Sequence, residues 1–171
     1  MRTIGKIAAA LVLIVLTAAV LTAERTGSWG ATPDPAASGG DGKWIDFTLP
    51  EAGGGQVSLF QFIGKKPVLL IFWATWCPHC NESVPAINRM HSEPPTRDTL
   101  AILALDYMES REKVRAFIER KKVAFPVLLD GSGSVARKYG VVGIPTYILI
   151  GRDGKVAYRG HEIPEIARHL P

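Results

Sequence analysis

The sequence predicts an α/β fold: a mixed central sheet flanked by helices, with an N-terminal β-hairpin extension, behind an N-terminal transmembrane helix. Two apolar runs, at 67–74 and 100–105, are typical of strands buried on both faces of a sheet. Segments with helical spacing of apolar residues follow both runs, and a hairpin signal comes near the end of the chain. Strands that alternate with helices favour a sheet covered on both sides.

The first half of the domain is predicted to contain a hairpin, a buried strand and a helix. Alternating residues indicate a strand at 44–48, and residues 56–59 return after the glycine turn at 53–55. A helix follows the run at 67–74 and ends in the segment 92–98, which contains two prolines. Its apolar face is marked by residues at helical spacing: Cys80, Val84, Ile87 and His91.

The second half continues the alternation of strands and helices. Ser110 is a suitable N-cap for a helix that carries Val114, Phe117 and Ile118 on one face. The turn at 151–154 is a hairpin signal. The elements predicted after the strand at 100–105 are that helix, a strand at 125–129, a helix at 135–139, strands at 144–150 and 155–159, and a helix at 162–170.

Composition restricts the classes of function. The chain has 171 residues, of which 47% are hydrophobic and 21% charged, enough for one domain with a substantial core. Its formal net charge is +4, but basic residues often stand beside acids, so we expect no nucleic-acid partner. Only two cysteines are present, three positions apart. Their closeness indicates chemistry rather than a stabilising disulfide framework.

Residues 7–23 form an uncharged apolar run behind two basic residues. As a helix this run would be about 26 Å long, close to the hydrocarbon thickness of a bilayer. The positive-inside rule then places the rest of the chain on the periplasmic or extracytoplasmic side. We expect a signal anchor at 1–23, a flexible linker at 24–42 and a folded domain at 43–171. A cleaved signal peptide, which would leave a soluble periplasmic protein, is the alternative.

The motif Cys77-Pro78-His79-Cys80 is predicted to open the helix after the first buried strand. Unpaired N–H groups and the helix dipole at that position favour the thiolate, which is the nucleophile. Cys77 is therefore predicted to attack, and Cys80, one turn later, to resolve the mixed disulfide. Pro78 suits the first helical turn. A protonated His79 would stabilise the thiolate further, the alternative being an exposed residue of no special importance.

Metal binding and a permanent structural disulfide are the alternative uses of this cysteine pair. Zinc needs four ligands, and the other histidines follow no ligand spacing, so we expect no metal. A disulfide that closes so short a loop offers little entropic stabilisation.

A second motif, Gly143-Ile144-Pro145-Thr146, stands at the head of a predicted strand. Proline is poorly tolerated inside a central strand, so Pro145 is expected at the start of that strand. The residues alone leave the Ile144–Pro145 bond open between cis and the commoner trans form.

Together these motifs resemble thioredoxin, and the segments before them look like the TlpA/ResA branch of thioredoxin-like proteins. Proteins of that branch are anchored in the membrane of the bacterial cell envelope. The resemblance covers residues 44–160 and implies a thioredoxin-like fold. The segments that resemble thioredoxin are 72–80, Pro85 and 143–146. The segments that look like the TlpA/ResA branch are 46–50, 57–59 and 64–70.

The resemblance implies functions for five residues. Cys77 and Cys80 would cycle between dithiol and disulfide, without a cofactor. Pro145 would be a cis-proline that faces them, and Ile144 would offer backbone hydrogen bonds to a bound polypeptide. Trp76 would form part of an apolar pad beside Cys77, unless it is an ordinary core residue.

Two positions depart from the pattern of these proteins. Thioredoxin carries a buried acid six residues before its first cysteine, where this chain has Ile71. The TlpA/ResA branch commonly carries a glutamate three residues after the second cysteine. This chain has Ser83 there and Glu82 one position earlier. Because one residue turns a helical side chain by about 100°, Glu82 is expected to face solvent, although it is the candidate proton relay.

The direction of electron flow is open between two interpretations. The Pro-His pair looks like that of DsbA, an oxidant, whereas the surrounding pattern looks like the TlpA/ResA reductants, which keep specific thiols reduced, including those of apocytochrome c. Since the helical insertion of DsbA is absent, we expect a reductase that acts on protein thiols and disulfides and takes electrons from a membrane-embedded donor. The alternatives are a thiol oxidase and a non-catalytic module that binds copper or a thiol protein.

Overall fold

A five-stranded sheet and a separate two-stranded hairpin organise residues 42–169, which the computed structural model describes. The predicted anchor at 1–23 and the linker up to residue 41 lie outside the described residues. The strands are β1 (Thr48–Pro50), β2 (Gln56–Ser58), β3 (Val68–Trp73), β4 (Ala101–Tyr107), β5 (Val127–Asp130), β6 (Thr146–Ile150) and β7 (Val156–Gly160). The helices are α1 (Pro78–Ser92), α2 (Thr96–Thr99), α3 (Arg111–Lys121), α4 (Ser134–Lys138) and α5 (Ile166–His169), with a 3₁₀ helix at Leu59–Gln61. None of these helices has both the length and the apolar character needed to span a bilayer.

The large sheet has the strand order β5-β4-β3-β6-β7, with β3 at its centre. Strands β3, β4 and β5 are parallel, whereas β6 and β7 run antiparallel to their neighbours. The predicted mixed sheet is thus confirmed. All six residues of β3 are buried, as expected for a strand covered on both faces. The carboxyl ends of the three parallel strands lie at one end of the sheet, and the chain passes from the end of β3 into α1.

Two apolar layers cover the sheet. On one face, α1 contributes Val84 and Ile87, and α3 contributes Phe117, to a buried cluster. On the other face, α4 packs together with Phe47 and Leu59 from the N-terminal part of the domain. The helices therefore lie on both sides of the sheet, and α1 is held between the core and the carboxyl end of β3.

The predicted strand at 44–48 is wrong in its bounds, because β1 begins only at Thr48. The alternation reflects burial instead of strand pairing. Phe47 is buried, and the backbone of Ile45 is bound by a side chain. The N–H of Ile45 donates to the Tyr139 hydroxyl at 3.0 Å, and that hydroxyl donates to the Ile45 carbonyl at 2.7 Å.

We expect Tyr139→Phe to lower the free energy of unfolding by about 1–2 kcal/mol, because both backbone groups of Ile45 lose their partner. Burial raises the pKa of the Tyr139 phenol to about 12, so the hydroxyl keeps its proton at neutral pH. Urea denaturation measures the change. Tyr107→Phe is the matched control, since no hydrogen bond is found for its hydroxyl among residues 42–169. Equal losses in the two variants would contradict the expectation.

Candidate active site

The two cysteines lie at the N-terminus of α1, directly after the central strand. Cys77 is the N-cap, and its sulfur accepts a hydrogen bond from the N–H of Cys80 at 3.2 Å. Pro78 is the first helical residue. A disulfide joins the two sulfurs, with 5.3 Å between the Cα atoms. Once the bond is reduced, the same N–H group and the positive end of the helix dipole stabilise a thiolate at Cys77.

The segment that precedes β6 lies beside the first sulfur. The Ile144–Pro145 bond is cis, and the Sγ atom of Cys77 is 3.8 Å from the Ile144 carbonyl oxygen. The Thr146 hydroxyl donates to the Gly143 carbonyl at 2.6 Å and so stabilises the turn that contains the proline. Backbone groups of this segment therefore stand next to the atom at which disulfide exchange would occur.

Exposed apolar side chains lie on the segments that flank Cys77 and precede Pro145. Trp76 is 59% exposed and is therefore not a core residue. Val142 is 97% exposed. A cavity of about 340 Å³ lies between these two residues and is lined also by Tyr107, Val141, Gly143 and Ile144. This surface is available to the apolar part of a bound polypeptide.

The residues between and after the cysteines are exposed. The side chains of His79 and Glu82 are 84% and 75% exposed, and the imidazole Nδ1 lies 3.4 Å from a Glu82 carboxylate oxygen. Ser83 donates its hydroxyl to the His79 carbonyl at 2.9 Å. Cys80, in contrast, is only 3% exposed. Glu82 thus lies within ion-pair distance of His79, and none of the contacts described for it reaches the buried sulfur.

Sequence reasoning missed Glu109, which holds the loop that leads to Cys77. Its carboxylate accepts hydrogen bonds from the N–H of Thr75 at 2.6 Å and from the Thr75 hydroxyl at 2.8 Å. Lys113 pairs with the same carboxylate at 2.5 Å. The Thr75 carbonyl in turn accepts from the Asn81 side chain at 3.2 Å. Glu109, which lies outside α1, therefore fixes the position of Thr75, two residues before Cys77.

Asp106, also missed, lies next to Glu109 at the carboxyl end of β4. It is completely buried, and its Oδ2 accepts from the N–H of Glu109 at 3.1 Å. Burial, reinforced by a hydrogen bond to the Glu109 carboxyl group, raises the pKa of Asp106 to about 8. Burial alone would raise the pKa of Glu109, but the hydrogen bonds from Lys113 and Thr75 outweigh it and lower that pKa. At neutral pH the pair is a protonated Asp106 beside an ionised Glu109.

A third residue that sequence reasoning missed is His161, which follows β7. Its Nδ1 is 2.7 Å from the Pro145 carbonyl oxygen, and because a carbonyl only accepts, this nitrogen carries the proton. His161 also lines a groove of about 520 Å³, together with His79, Glu82 and Tyr147. His161 thus holds the carbonyl group of the cis-proline.

Residues 41–159 match the AhpC/TSA family. The chain belongs to that family. The predicted resemblance to thioredoxin-like proteins of the TlpA/ResA branch is confirmed, because the chain is similar to proteins named ResA. The chain is 35% identical over 111 residues to the thiol-disulfide oxidoreductase ResA of Bacillus thuringiensis subsp. konkukian, which covers 65% of this chain and 63% of that protein.

Two further comparisons agree with this membership. The AhpC/TSA protein is 36% identical over 114 residues to the thioredoxin-like protein YneN of Bacillus subtilis, covering 65% of each chain. A crystal structure of a candidate thiol:disulfide interchange protein DsbE from Chlorobium tepidum superposes with a TM-score of 0.65 at 32% identity. That superposition covers 74% of this chain and 87% of the other. The predicted thioredoxin-like fold is confirmed, while the chain spans less than two thirds of the length of these curated relatives.

If Cys77 and Cys80 exchange disulfides with a substrate, we expect His161→Leu to reduce kcat/KM for insulin reduction about fivefold. The Pro145 carbonyl loses a hydrogen bond worth about 1 kcal/mol, and the segment beside Cys77 becomes less fixed. The change should lie in the kinetics, with an unaltered circular dichroism spectrum. His91→Leu, in the last turn of α1, is the control. An unchanged rate for His161→Leu would show that the proline does not depend on this contact.

Proposed function

We propose that this chain is a thiol–disulfide oxidoreductase of the bacterial cell envelope that exchanges disulfides with protein substrates through Cys77 and Cys80, and that it works as a reductase. The observation that supports this most is the position of Cys77, whose sulfur caps α1 and lies beside the Ile144 carbonyl. A helix N-terminus stabilises the attacking thiolate, and neighbouring backbone groups can hold an extended substrate.

In the reaction, the Cys77 thiolate attacks one sulfur of a substrate disulfide. The substrate bond breaks, a mixed disulfide forms, and the released substrate sulfur takes a proton. Cys80 then loses its proton and attacks the Cys77 sulfur, which releases the second substrate thiol. Two electrons pass to the substrate, and the chain is left with the Cys77–Cys80 disulfide that the structure shows.

Four further residues are proposed to assist this reaction. Pro78 would fix the start of α1, in which the N–H of Cys80 donates to the Cys77 sulfur. Ile144 and Pro145 would align the substrate backbone, and the exposed Trp76 would contact its apolar side chains. These assignments are consistent with the cavity between Trp76 and Ile144.

The reductase direction is supported by the surroundings of His79. A cationic imidazole favours the thiolate and raises the reduction potential, as required of an oxidant. Here the Glu82 carboxylate lies 3.4 Å from the ring and offsets part of that charge. We therefore assign to Glu82 the tuning of His79 in place of the proton relay.

The proposed location is the extracytoplasmic face of the membrane, with residues 7–23 as the anchor and a membrane-embedded protein as the electron donor. Thiols of apocytochrome c are one class of substrate that such a reductase would maintain. This part of the proposal rests on the sequence and on the similarity to proteins named ResA.

The reduction potential of the full chain, measured against glutathione, tests the direction. We expect a value below about −200 mV, whereas a strong oxidant such as DsbA is near −120 mV. His79→Ala should lower the potential, and Glu82→Gln should raise it. A wild-type reduction potential near that of DsbA would indicate that the chain is a thiol oxidase and not a reductase. Absence of any exchange with insulin would overturn the oxidoreductase itself.

A further inference from the structure

The end of the sheet opposite the cysteines carries a separate surface. Cys77 follows the carboxyl end of β3, whereas Lys65 and Lys66 lie just before its amino end, separated from it by Pro67. Six residues of strand separate the two ends by about 20 Å. Side chains at the amino end of β3 therefore face away from the thiol site.

Backbone contacts bring several basic and aromatic residues together at this amino end. Lys43 is bridged to Lys155, and the N–H of Gly64 donates to the Arg152 carbonyl at 3.2 Å. The Trp44 and Phe60 rings lie 6.3 Å apart. We call this surface the basic face and define it by its residues, which are Lys43, Trp44, Phe60, Lys65, Lys66, Arg152 and Lys155.

The basic face is open to solvent and carries an excess of positive charge. Phe60 is 67% exposed, and the Lys155 side chain is 78% exposed. Three carboxylates lie nearby and offset only part of the charge. Asp153 pairs with Lys155, and Asp98 pairs with Arg97. Asp46 accepts a hydrogen bond from the N–H of Phe60. In contrast to the basic face, the region near the cysteines contains the acidic residues Glu82, Glu109 and Glu162.

The chain enters the described domain at this same face. The N–H of Val156 donates to the Gly42 carbonyl at 3.0 Å, so residue 42 lies beside Lys155. The 41 residues before it include the apolar run at 7–23 and a Gly/Pro-rich linker. A linker of this length has a reach of about 24 Å. That distance is short enough to keep the basic face near the surface in which residues 7–23 are held.

We propose that the basic face binds the anionic headgroups of a membrane surface and thereby holds Cys77 on the side of the domain away from the membrane. Lysine and arginine side chains supply the attraction, and the exposed Phe60 ring with its neighbour Trp44 suits the boundary between headgroups and acyl chains. Each basic residue near such a surface strengthens binding about fivefold. The inference rests on the proposed location in the cell envelope, and it adds the orientation of the domain relative to the membrane.

Energy transfer from Cys77 to the membrane tests the orientation. The full chain carrying Cys80→Ala is labelled with a fluorescent maleimide on Cys77 and reconstituted into vesicles that contain an acceptor lipid. One set of vesicles is phosphatidylcholine alone, and the other contains phosphatidylglycerol as well. We expect less transfer in the anionic vesicles, because Cys77 is held away from the surface, and a return to the neutral value in high salt.

Charge reversals identify the surface. Lys65→Glu with Lys66→Glu should raise transfer in anionic vesicles to the level seen in neutral vesicles. Arg115→Glu with Lys138→Glu is the matched control: both residues are exposed, on helices that start at the other end of the sheet, and the change in net charge is the same. Equal transfer in the two lipids, equal effects of the two variants, or no association with either vesicle would overturn the inference. Insulin reduction by the unlabelled wild-type chain is scored separately, so that loss of activity would count against the proposed function alone.

Discussion

Cys77→Ser is expected to abolish disulfide exchange, with insulin reduction reduced at least about a thousandfold. A serine hydroxyl does not ionise at neutral pH and forms no mixed disulfide, so no step of the exchange remains. The residual rate should equal that of the reductant alone. The assay follows insulin turbidity, with dithiothreitol as electron source and equal concentrations of folded protein.

Cys80→Ser is the informative counterpart, because the first step survives and the second does not. We expect this variant to accumulate a mixed disulfide between Cys77 and the substrate, visible as a shifted band on non-reducing gels. The hydrogen bond from the residue 80 N–H to the Cys77 sulfur is a backbone contact and is retained in this variant. Full activity in Cys77→Ser, or a complex trapped through residue 80 in that variant, would reverse the assignment of the two cysteines.

Asp106→Asn is expected to remove most of the pH dependence of stability between pH 4 and pH 8. Folding raises the pKa of Asp106 from its ordinary value of 3.8 to about 8, mainly through burial. Across that range the folded state holds a proton that the unfolded state has lost, so stability is greatest at the acid side and falls as the pH rises. The loss in the wild-type protein should be on the order of 5 kcal/mol.

The pKa of Glu109 works in the opposite direction at lower pH. Because folding lowers it, its contribution is present above its ordinary value of 4.5 and is lost as the pH falls below that value. We therefore expect maximal stability near pH 4–5 in the wild-type protein.

Urea denaturation of the oxidised protein at several pH values tests the Asp106 prediction. The Asp106→Asn curve should be nearly flat between pH 5 and pH 8, while Asp153→Asn, a change at an exposed acid with a lowered pKa, should follow the wild-type curve. Parallel curves for Asp106→Asn and the wild-type protein would show that Asp106 is ionised at neutral pH.

Local sequence signals predicted the parts of the fold that position the cysteines. The continuous apolar run of β3 and the helical spacing of Cys80, Val84 and Ile87 depend on residues that are close in sequence, and burial in the structure agrees with them. The predicted strand at 44–48 was wrong because it, too, relied only on residues that are close in sequence. Its alternation records burial, and the partner of Ile45 is Tyr139, which is 94 residues away.

The supporting residues of the site could not be predicted because their partners are distant in sequence. Glu109 binds Thr75 across 34 residues, and His161 binds Pro145 across 16. The one local signal was an acid, Asp106, at the end of an otherwise apolar strand. Such a residue predicts a buried carboxyl group. It does not predict that Glu109, which lies next to it, will bind the backbone N–H of Thr75.

The hydrogen bonds between Glu109 and Thr75 limit how this site can be transplanted. A graft of β3 and α1 into another scaffold would carry both cysteines, the Pro-His pair and Asn81, yet it would leave Thr75 without the carboxylate that holds its N–H and hydroxyl groups. A designer who wants the same reactivity elsewhere must also move the segment after β4 that contains Glu109, because the site comprises two separate pieces of the chain.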